Sequence, residues 1–557
     1  MIERTLTEIA AAVGGELLDA LAGGARTVGT EPAAASTVGS AVSSVVTDSR
    51  KAGPGTLFVA IAGERTDGHA HLGGVLAVGG AAALVSDLPA ARAALEEAAA
   101  GADGAPGGLP LIVVDDTVEA LGRLARAHLA DLRERAVARG SELTVVAMTG
   151  SVGKTTTKDL TRQLLAAQAP TVAPVASFNN EIGLPLTVLE TDESTRYLVL
   201  EMGASGFGHI AYLTDIAPLD AAAVLMIGHA HMGGFGSVDG VAKAKSEIVQ
   251  GLVPTGTAVL NRDDERAWAM RSIAPGTVLS FSASGDPAAE IRAENVEGDA
   301  EAHAVLDLVA PGAPTTRLRL GLPGLHNVGN ALAAVGLAIA AGVPAAAAVA
   351  ALGDAVIESP HRLDVRAVGA PAGGELLLID DSYNANIDSM TASLASLPAL
   401  AGDRRRVVVI SEMLELGESS DADHARTGEL VAGAGASLLV TIGEGAAPAA
   451  RSARAAGVAE VVELPDADAA AMALENMAST LPSAVTAGDV QNVDVGDRAH
   501  MIAGDSFEAG KSTTVIIFQE GKVATTMQFD GALGDPVPAD WAIALAQKQA
   551  EKLASAG

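Results

Sequence analysis

The chain has 557 residues, no cysteine and a net charge of −32, and its residues are 49% hydrophobic but only 2% aromatic. Disulfides, thiolate metal sites and a cysteine nucleophile are excluded, and a broad nucleic-acid or anionic-membrane surface is disfavoured because like charge repels. The length predicts three or four domains, with cores built mainly of Ala, Val, Leu and Ile.

The start, MIERTLTEIAAAVGGELLDA, lacks a basic stretch followed by an apolar core. The Ala-rich run AIAAGVPAAAAVAAL is broken by Gly342 and Pro344 and is too short to span a bilayer. These features predict a soluble cytoplasmic chain with no membrane insertion. TLFVAI and AALVSD read as short buried strands between helical stretches, and GADGAPGGLP (101–110) is a Gly/Pro-rich break. Beyond it, PLIVVDD reads as a strand and VEALGRLARAHLADLRERAVARG has helical spacing. LTVVAMT, RYLVLEM and AAAVLMI then alternate with helical segments up to a second break at GDAVIESPH (353–361), after which ELLLIDD, RRVVVIS and SLLVTIG continue the pattern. Such alternation predicts parallel sheets covered by helices. The last eighty or so residues differ. VGDRAHMIAG, STTVIIFQEG and KVATTMQFDG read as a meander of short strands with Gly turns, closed by a polar helix over DWAIALAQKQAEKLA.

The chemistry concentrates at VVAMTGSVGKTTTKDL. A buried strand, a loop containing Gly150, Ser151 and Gly153, and a helix opening with Lys154, Thr155 and Thr156 form a phosphate cradle. Glycines let backbone N–H groups converge on an anion, and the helix N-terminus adds partial positive charge. Lys154 can reach terminal phosphates and Thr155 can ligate Mg²⁺. Met148 stands where the usual loop has Gly, so the motif is a shorter relative. Glu201, at the end of RYLVLEM, is either an ordinary exposed strand-end residue or a metal-holding carboxylate. His229 and His231 follow an apolar strand in GHAHMGGFGS, a position that suits a site role. Lys243 and Lys245, read from spacing alone, are solvated helix lysines.

The ordered set GSVGKTTTK, SFNNEIGLPLTVL, VLEMGASGFGHI, GHAHMGGFGS, AKSEI, NRDDE, GLHNVGNALAA, SPHRLD and DDSYNANIDSM resembles the ATP-dependent Mur ligases of peptidoglycan synthesis. DSYNAN followed by SM, together with VVTDSRKAGPGTLFVAI and GERTDGHAH, resembles their MurF type, over about residues 1–476. The resemblance implies a three-domain α/β architecture. It consists of an α/β UDP-sugar-peptide-binding domain (1–110), a central P-loop parallel-sheet ATPase domain (111–352) and a Rossmann-like ligase domain (353–476). An atypical α+β segment (477–557) follows, an appended domain, a gene fusion or a junction artefact.

By the same resemblance, Thr47, Asp48, Ser49 and Arg50, with Asp67, Gly68 and His69, match the UDP-substrate motifs; read alone, TDSR is a polar turn. Lys154 and Thr155 match the phosphate lysine and the Mg²⁺ hydroxyl, and Glu201 and His231 match metal-site residues. Lys245 matches a lysine carried as a carbamate, which reverses the surface reading. Asn179 and Asn180 face the substrates, and His326 and Asn327 match an adenine-contacting pair. Arg362 and Asp381 match residues that the last domain brings onto ATP, and Tyr383, Asn384 and Asn386 stand near the incoming dipeptide. The implied reaction uses ATP and Mg²⁺ to join D-alanyl-D-alanine to UDP-MurNAc-tripeptide through an acyl phosphate, in a monomer that binds no nucleic acid.

Two departures are small: Ile387 replaces a common Pro, and Ser411-Glu412 replaces a common Gly-Asp-like pair. The larger one follows LPDADAAAMALENM, where a strand carrying Lys and a Ser-Arg-like segment is expected. Two alternatives stand beside the ligase reading: another member of the superfamily with a different amino-acid substrate, and an ATP-binding fusion impaired in ligation.

Overall fold

Two apolar strands, Thr56–Val59 and Ala82–Val85, are buried along their whole length, as strands covered on both faces must be. They belong to the computed structural model of the chain, which describes residues 1–19, 26–27, 41–63, 66–100, 108–174, 177–228, 235–369, 375–465, 491–492, 498–505, 511–520, 523–532 and 547. The chain forms two compact units, Met1–Ser359 and Pro360–Gly557.

In the first unit, a six-stranded sheet runs in the order Arg26–Thr27, Glu16–Asp19, Leu111–Val113, Ala82–Val85, Thr56–Val59, Ser44–Val46. The last four strands are parallel. The expected division after residue 110 falls immediately before one of these strands. Leu111–Val113 pairs with Ala82–Val85 and with Glu16–Leu18, so the Gly/Pro stretch leads into a strand of this sheet rather than out of it. The helix Thr117–Ala138 follows, its N-terminus capped by the Asp116 carboxylate, which accepts from the Val118 and Glu119 amides at 2.7 and 2.9 Å. Its Leu121, Leu124, Leu129 and Leu132 enter one core with Ile9 and Val13 on one side and Val188, Ile210 and Leu213 on the other. Burying each such leucine contributes about 2 kcal/mol, so this helix joins the N-terminal and central layers.

The central sheet has nine strands in the order Thr171–Val172, Tyr197–Glu201, Thr144–Thr149, Leu219–Val224, Leu252–Asn261, Thr277–Ser282, Ile291–Gly298, His303–Val309, Thr316–Pro323. Pairing is parallel through Ile291–Gly298 and antiparallel beyond it. From Thr144–Thr149 the chain first lays down the edge strand Thr171–Val172, returns to place Tyr197–Glu201 between them, and then crosses to the other side. The carboxyl end of Thr144–Thr149 is thus a topological switch point, where ligands bind in open α/β sheets. Helices Lys154–Ala166 and Asn327–Ala340 share the core on one face. Gly336 permits the close approach, since a Cβ there would lie 2.6 Å from Val259 Cγ1.

The second unit begins with an antiparallel hairpin, Asp364–Gly369 with Glu375–Asp380. Three parallel strands follow, Val407–Ser411, Leu438–Ile442 and Glu460–Leu464, alternating with helices Ser420–Gly433 and Ala447–Ala455 in the Rossmann-like manner expected. Leu394, Val408, Val431, Leu439 and Ala453 form its core. The tail strands Gln491–Asn492, Arg498–Asp505, Lys511–Glu520 and Val523–Ala532 pair consecutively and antiparallel, the meander that the Gly-punctuated pattern predicts. The closing helix expected over DWAIALAQKQAEKLA lies outside the described residues except for Gln547. No helix among the described residues is long and apolar enough to cross a membrane.

Candidate active site

The loop after Thr149 is the centre of the site. Ser151 is fixed on both sides: its amide donates to Met226 O at 3.0 Å, and its hydroxyl accepts from the Gly228 amide at 2.9 Å. Gly153 opens the helix at φ +85°, a left-handed conformation that costs other residues free energy. A Cβ at Gly153 would also collide with the Asn330 side-chain oxygen. Lys154, at the first helical position, donates to Gly150 O at 3.0 Å.

Thr155, also at the helix start, is buried and donates to Glu201 Oε2 at 2.9 Å, while its oxygen lies 2.9 Å from Ser177 Oγ. Glu201 is only 1% exposed, which removes the ordinary exposed strand-end reading. Asn179 Nδ2 donates to its other oxygen at 2.7 Å. The strand register puts Glu201 beside Met148, directly before the loop, so adjacent parallel strands present carboxylate and hydroxyl at the same end. Both carboxylate oxygens accept from neutral donors. The buried carboxylate and the Thr155 hydroxyl form an all-oxygen donor pair of the kind that hard divalent ions take.

Lys245 is not a surface lysine; spacing alone misread it. It lies on the inner face of helix Val238–Gln250, 3% exposed, and donates to Gly150 O at 3.1 Å, the oxygen that Lys154 also approaches. Burial, and then the Lys154 charge, hold its amine well below the ordinary lysine range. Lys243, two residues earlier, lies over the Phe207 ring at 5.4 Å. His229 and His231 fall outside the described residues.

On the far side of the loop, Asn327 Nδ2 donates to Pro323 O at 2.7 Å, and its oxygen accepts from Asn330 Nδ2 at 2.8 Å. Thr157 Oγ1 donates to Asn330 Oδ1 at 3.4 Å. Asn330 thus connects the His326–Asn327 pair to the phosphate-loop helix, a role the sequence reading missed. Its position one turn after Asn327 was the available signal. Thr156 is buried on the loop helix, and Asn180 spends its side-chain oxygen on the Ile182 and Gly183 amides at 3.3 and 2.9 Å.

In the N-terminal sheet, both expected clusters follow carboxyl ends of parallel strands. Asp48 caps the turn Ser49–Lys51 and takes Arg50 in a two-pronged contact at 3.0 and 3.1 Å, which holds its carboxyl below the usual range. Thr47 and Ser49 flank it, half-buried. His69 lies next to Asp67 in the fold. It is buried, and its Nε2 accepts from the Ser86 and Asp87 amides at 3.0 and 3.1 Å, so Nδ1 carries the proton that goes to Asp67 at 2.6 Å. His69 thus holds Asp67, beside the buried Gly68, in place.

In the second unit, PHRLD and DDSYNAN fold against each other. His361 Nδ1 lies 2.7 Å from Asp380, the Leu363 amide donates to Asp381 at 3.0 Å, and the Arg362 guanidinium stacks 4.1 Å from the Tyr383 ring centre. Asn384 is exposed on the same loop. Asn386 is a helix cap: its side chain accepts from the Ser389 amide at 2.9 Å and opens helix Ile387–Ala401.

Three family models match the chain: "Mur ligase family, catalytic domain" over residues 41–129, "Mur ligase middle domain" over 148–338 and "Mur ligase, glutamate ligase domain" over 361–490. A UDP-N-acetylmuramoyl-tripeptide–D-alanyl-D-alanine ligase of Mycobacterium bovis is 38% identical over 456 residues, covering 80% of this chain and 84% of its own. Among solved structures, MurF from Acinetobacter baumannii aligns with TM-score 0.68 at 31% identity, over 86% of this chain and 93% of that one. MurF ligase from Thermotoga maritima, in complex with ADP, aligns with TM-score 0.59 at 25% identity, over 76% and 93%.

Proposed function

The chain belongs to the Mur ligase family, and from that premise we propose that it joins D-alanyl-D-alanine to UDP-MurNAc-tripeptide with ATP, in cytoplasmic peptidoglycan precursor synthesis. One observation carries the reading: Lys154, Lys245 and the Thr155–Glu201 pair converge at one strand-end loop.

A carboxylate resists amide formation because its leaving group would be oxide. The γ-phosphoryl group of ATP therefore passes to the terminal carboxylate of the UDP-bound peptide, and ADP leaves. The dipeptide amine attacks the resulting acyl phosphate, a tetrahedral intermediate forms, and inorganic phosphate departs with the amide bond made. The protein's task is positioning and charge stabilisation. The amides of Gly150, Ser151 and Gly153 and the Lys154 ammonium hold the phosphate chain. Thr155 and Glu201, with His231, would hold Mg²⁺, which neutralises charge on the transferring phosphoryl group. The neutral amine favoured at Lys245 is the form that adds carbon dioxide; the carbamate, after losing a proton, would be an anion beside that cation. His326 and Asn327 face the adenine, the Thr47–Arg50 turn and Asp67 take the UDP moiety, and Asn179 steadies Glu201. By the family resemblance, Arg362 and Asp381 would contact ATP, and Tyr383 and Asn384 the dipeptide.

The test is phosphate release by the full chain with Mg²⁺, ATP and UDP-MurNAc-tripeptide, with and without D-alanyl-D-alanine, and mass spectrometry for the UDP-pentapeptide. Dipeptide-dependent release with that product is expected; nucleotide binding without dipeptide-dependent turnover would overturn the reading. The tail favours keeping the second outcome in view, because the family models end at residue 490 and an antiparallel sheet follows.

A further inference from the structure

The helix that begins with Lys154 carries a second, buried polar cluster one turn on. Lys158 and Asp159 are 2% and 1% exposed and paired at 2.6 Å. Together they grip Ser359. Asp159 accepts from the Ser359 amide at 2.8 Å, the Ser359 hydroxyl at 3.1 Å and the Glu358 amide at 3.1 Å, and Lys158 donates to Ser359 Oγ at 3.2 Å. Lys158 also donates to Pro174 O at 3.0 Å, three residues before Ser177, the neighbour of Thr155. Further along the same helix, Gln163 exchanges two hydrogen bonds with the Val356 backbone, and Arg162 forks onto Glu358.

Ser359 is the last residue of the first unit. Val356, Glu358 and Ser359 are thus fastened to the phosphate-loop helix. Immediately beyond the junction the chain is stiff. Pro360 has a fixed φ and no N–H. His361 and Leu363 sit at φ +61° and +52°, and are held there by Asp380 and Asp381. A buried Lys–Asp pair is weak evidence for stability, since apolar packing often does as well. What this pair provides is direction: three acceptor contacts aimed at two consecutive residues.

We propose that Lys158, Asp159 and Ser359 are positioning residues that tie the phosphate-loop helix to the end of the first unit, so that phosphate binding at Lys154 restrains the chain from Ser359 through Arg362. The kinetic consequence rests on the ligase reading above; the consequence for the junction needs nucleotide binding alone.

The experiment compares the unsubstituted full chain with Ser359→Ala and Ser359→Thr. Nucleotide affinity is measured by calorimetry, melting temperature by calorimetric scan, and junction accessibility by limited proteolysis with and without Mg²⁺-ATP. Nucleotide is expected to slow cleavage around residues 360–363 severalfold in the unsubstituted chain and in Ser359→Thr, which keeps the hydroxyl. In Ser359→Ala the affinity should stay within about twofold while the protection is lost. Where the chain turns over, Ser359→Ala should lower kcat about tenfold at little-changed KM for ATP, and should add little in an Arg362→Lys background. Nucleotide protection that survives in Ser359→Ala, or equal losses of affinity and protection, would overturn the proposal. Absence of dipeptide-dependent turnover with protection still Ser359-dependent would overturn the ligase reading alone. If Ser359→Ala does not fold, Arg162→Ala, which removes an exposed part of the same clasp, is measured in its place, with partial loss of protection expected and full protection counting against the proposal.

Discussion

The Thr155 hydroxyl donates to the Glu201 carboxylate at 2.9 Å, joining a helix start to the end of the neighbouring strand. Residues 46 positions apart in sequence thereby make one buried oxygen pair. Removing the carboxylate charge by Glu201→Gln should lower kcat by about 10²-fold or more, the size seen when one electrostatic group of an active site is lost. It should also raise the Mg²⁺ concentration needed for half-maximal rate. A metal titration of turnover, alongside nucleotide binding without metal, measures both; an unchanged Mg²⁺ requirement would remove Glu201 from the metal site.

Lys245→Arg keeps a cation and cannot carry a carbamate. Turnover should fall by about 10²-fold or more, and the lysine enzyme, unlike the variant, should show a mass increase for bound carbon dioxide in bicarbonate buffer under native mass spectrometry. Full activity in the arginine variant would show that the buried amine acts only as a charge.

Gly153→Ala forces a left-handed φ on a residue with a Cβ and drives that Cβ against Asn330. The strain alone is about 1–2 kcal/mol. The melting temperature should fall by a few degrees and nucleotide affinity by more than tenfold, because the loop amides lose their alignment. Calorimetry reads both quantities; intact affinity would contradict the phosphate-cradle geometry.

His128 gives stability a pH dependence. It is buried in the helix that joins the N-terminal and central layers, lies 3.0 Å from Thr191 O, and is pushed down to about 4 chiefly by burial. The unfolded chain binds that proton near pH 6.5, the folded chain only near 4, so this contribution is complete above 6.5 and is lost as pH falls toward 4. The loss is on the order of 3 kcal/mol. Denaturant unfolding of His128→Gln from pH 7 to 4 should show a flatter dependence than the parent chain; parallel curves would exclude His128 as the source.

The phosphate loop, its flanking strand and helix, and the Gly-punctuated tail strands were legible in sequence because their signals are local. Apolar runs of strand length, Gly at a tight turn and Lys with hydroxyls at a helix start act within a few residues. Lys245 was not legible from spacing, since whether a helix lysine faces solvent depends on what packs against it. His69 and Asn386 match substrate motifs as residue types, but a local motif does not show what their side chains touch in the fold: the Ser86 and Asp87 amides and the Asp67 carboxylate for one, the Ser389 amide for the other. Strand pairing places Leu111–Val113, just after the break at 101–110, in the first sheet, which local composition does not show.

By itself, then, the sequence determined the kinds of element, their order and the phosphate-binding chemistry, because periodicity, turn residues and ordered motifs are properties of short segments. Only the tertiary structure decided which charges are buried and what they face. Glu201 meets Thr155, Lys245 meets the Gly150 carbonyl, and Asp159 meets Ser359 across 200 positions of chain. Sheet order and helix packing bring these residues together, and low-dielectric burial then fixes the protonation and geometry of each.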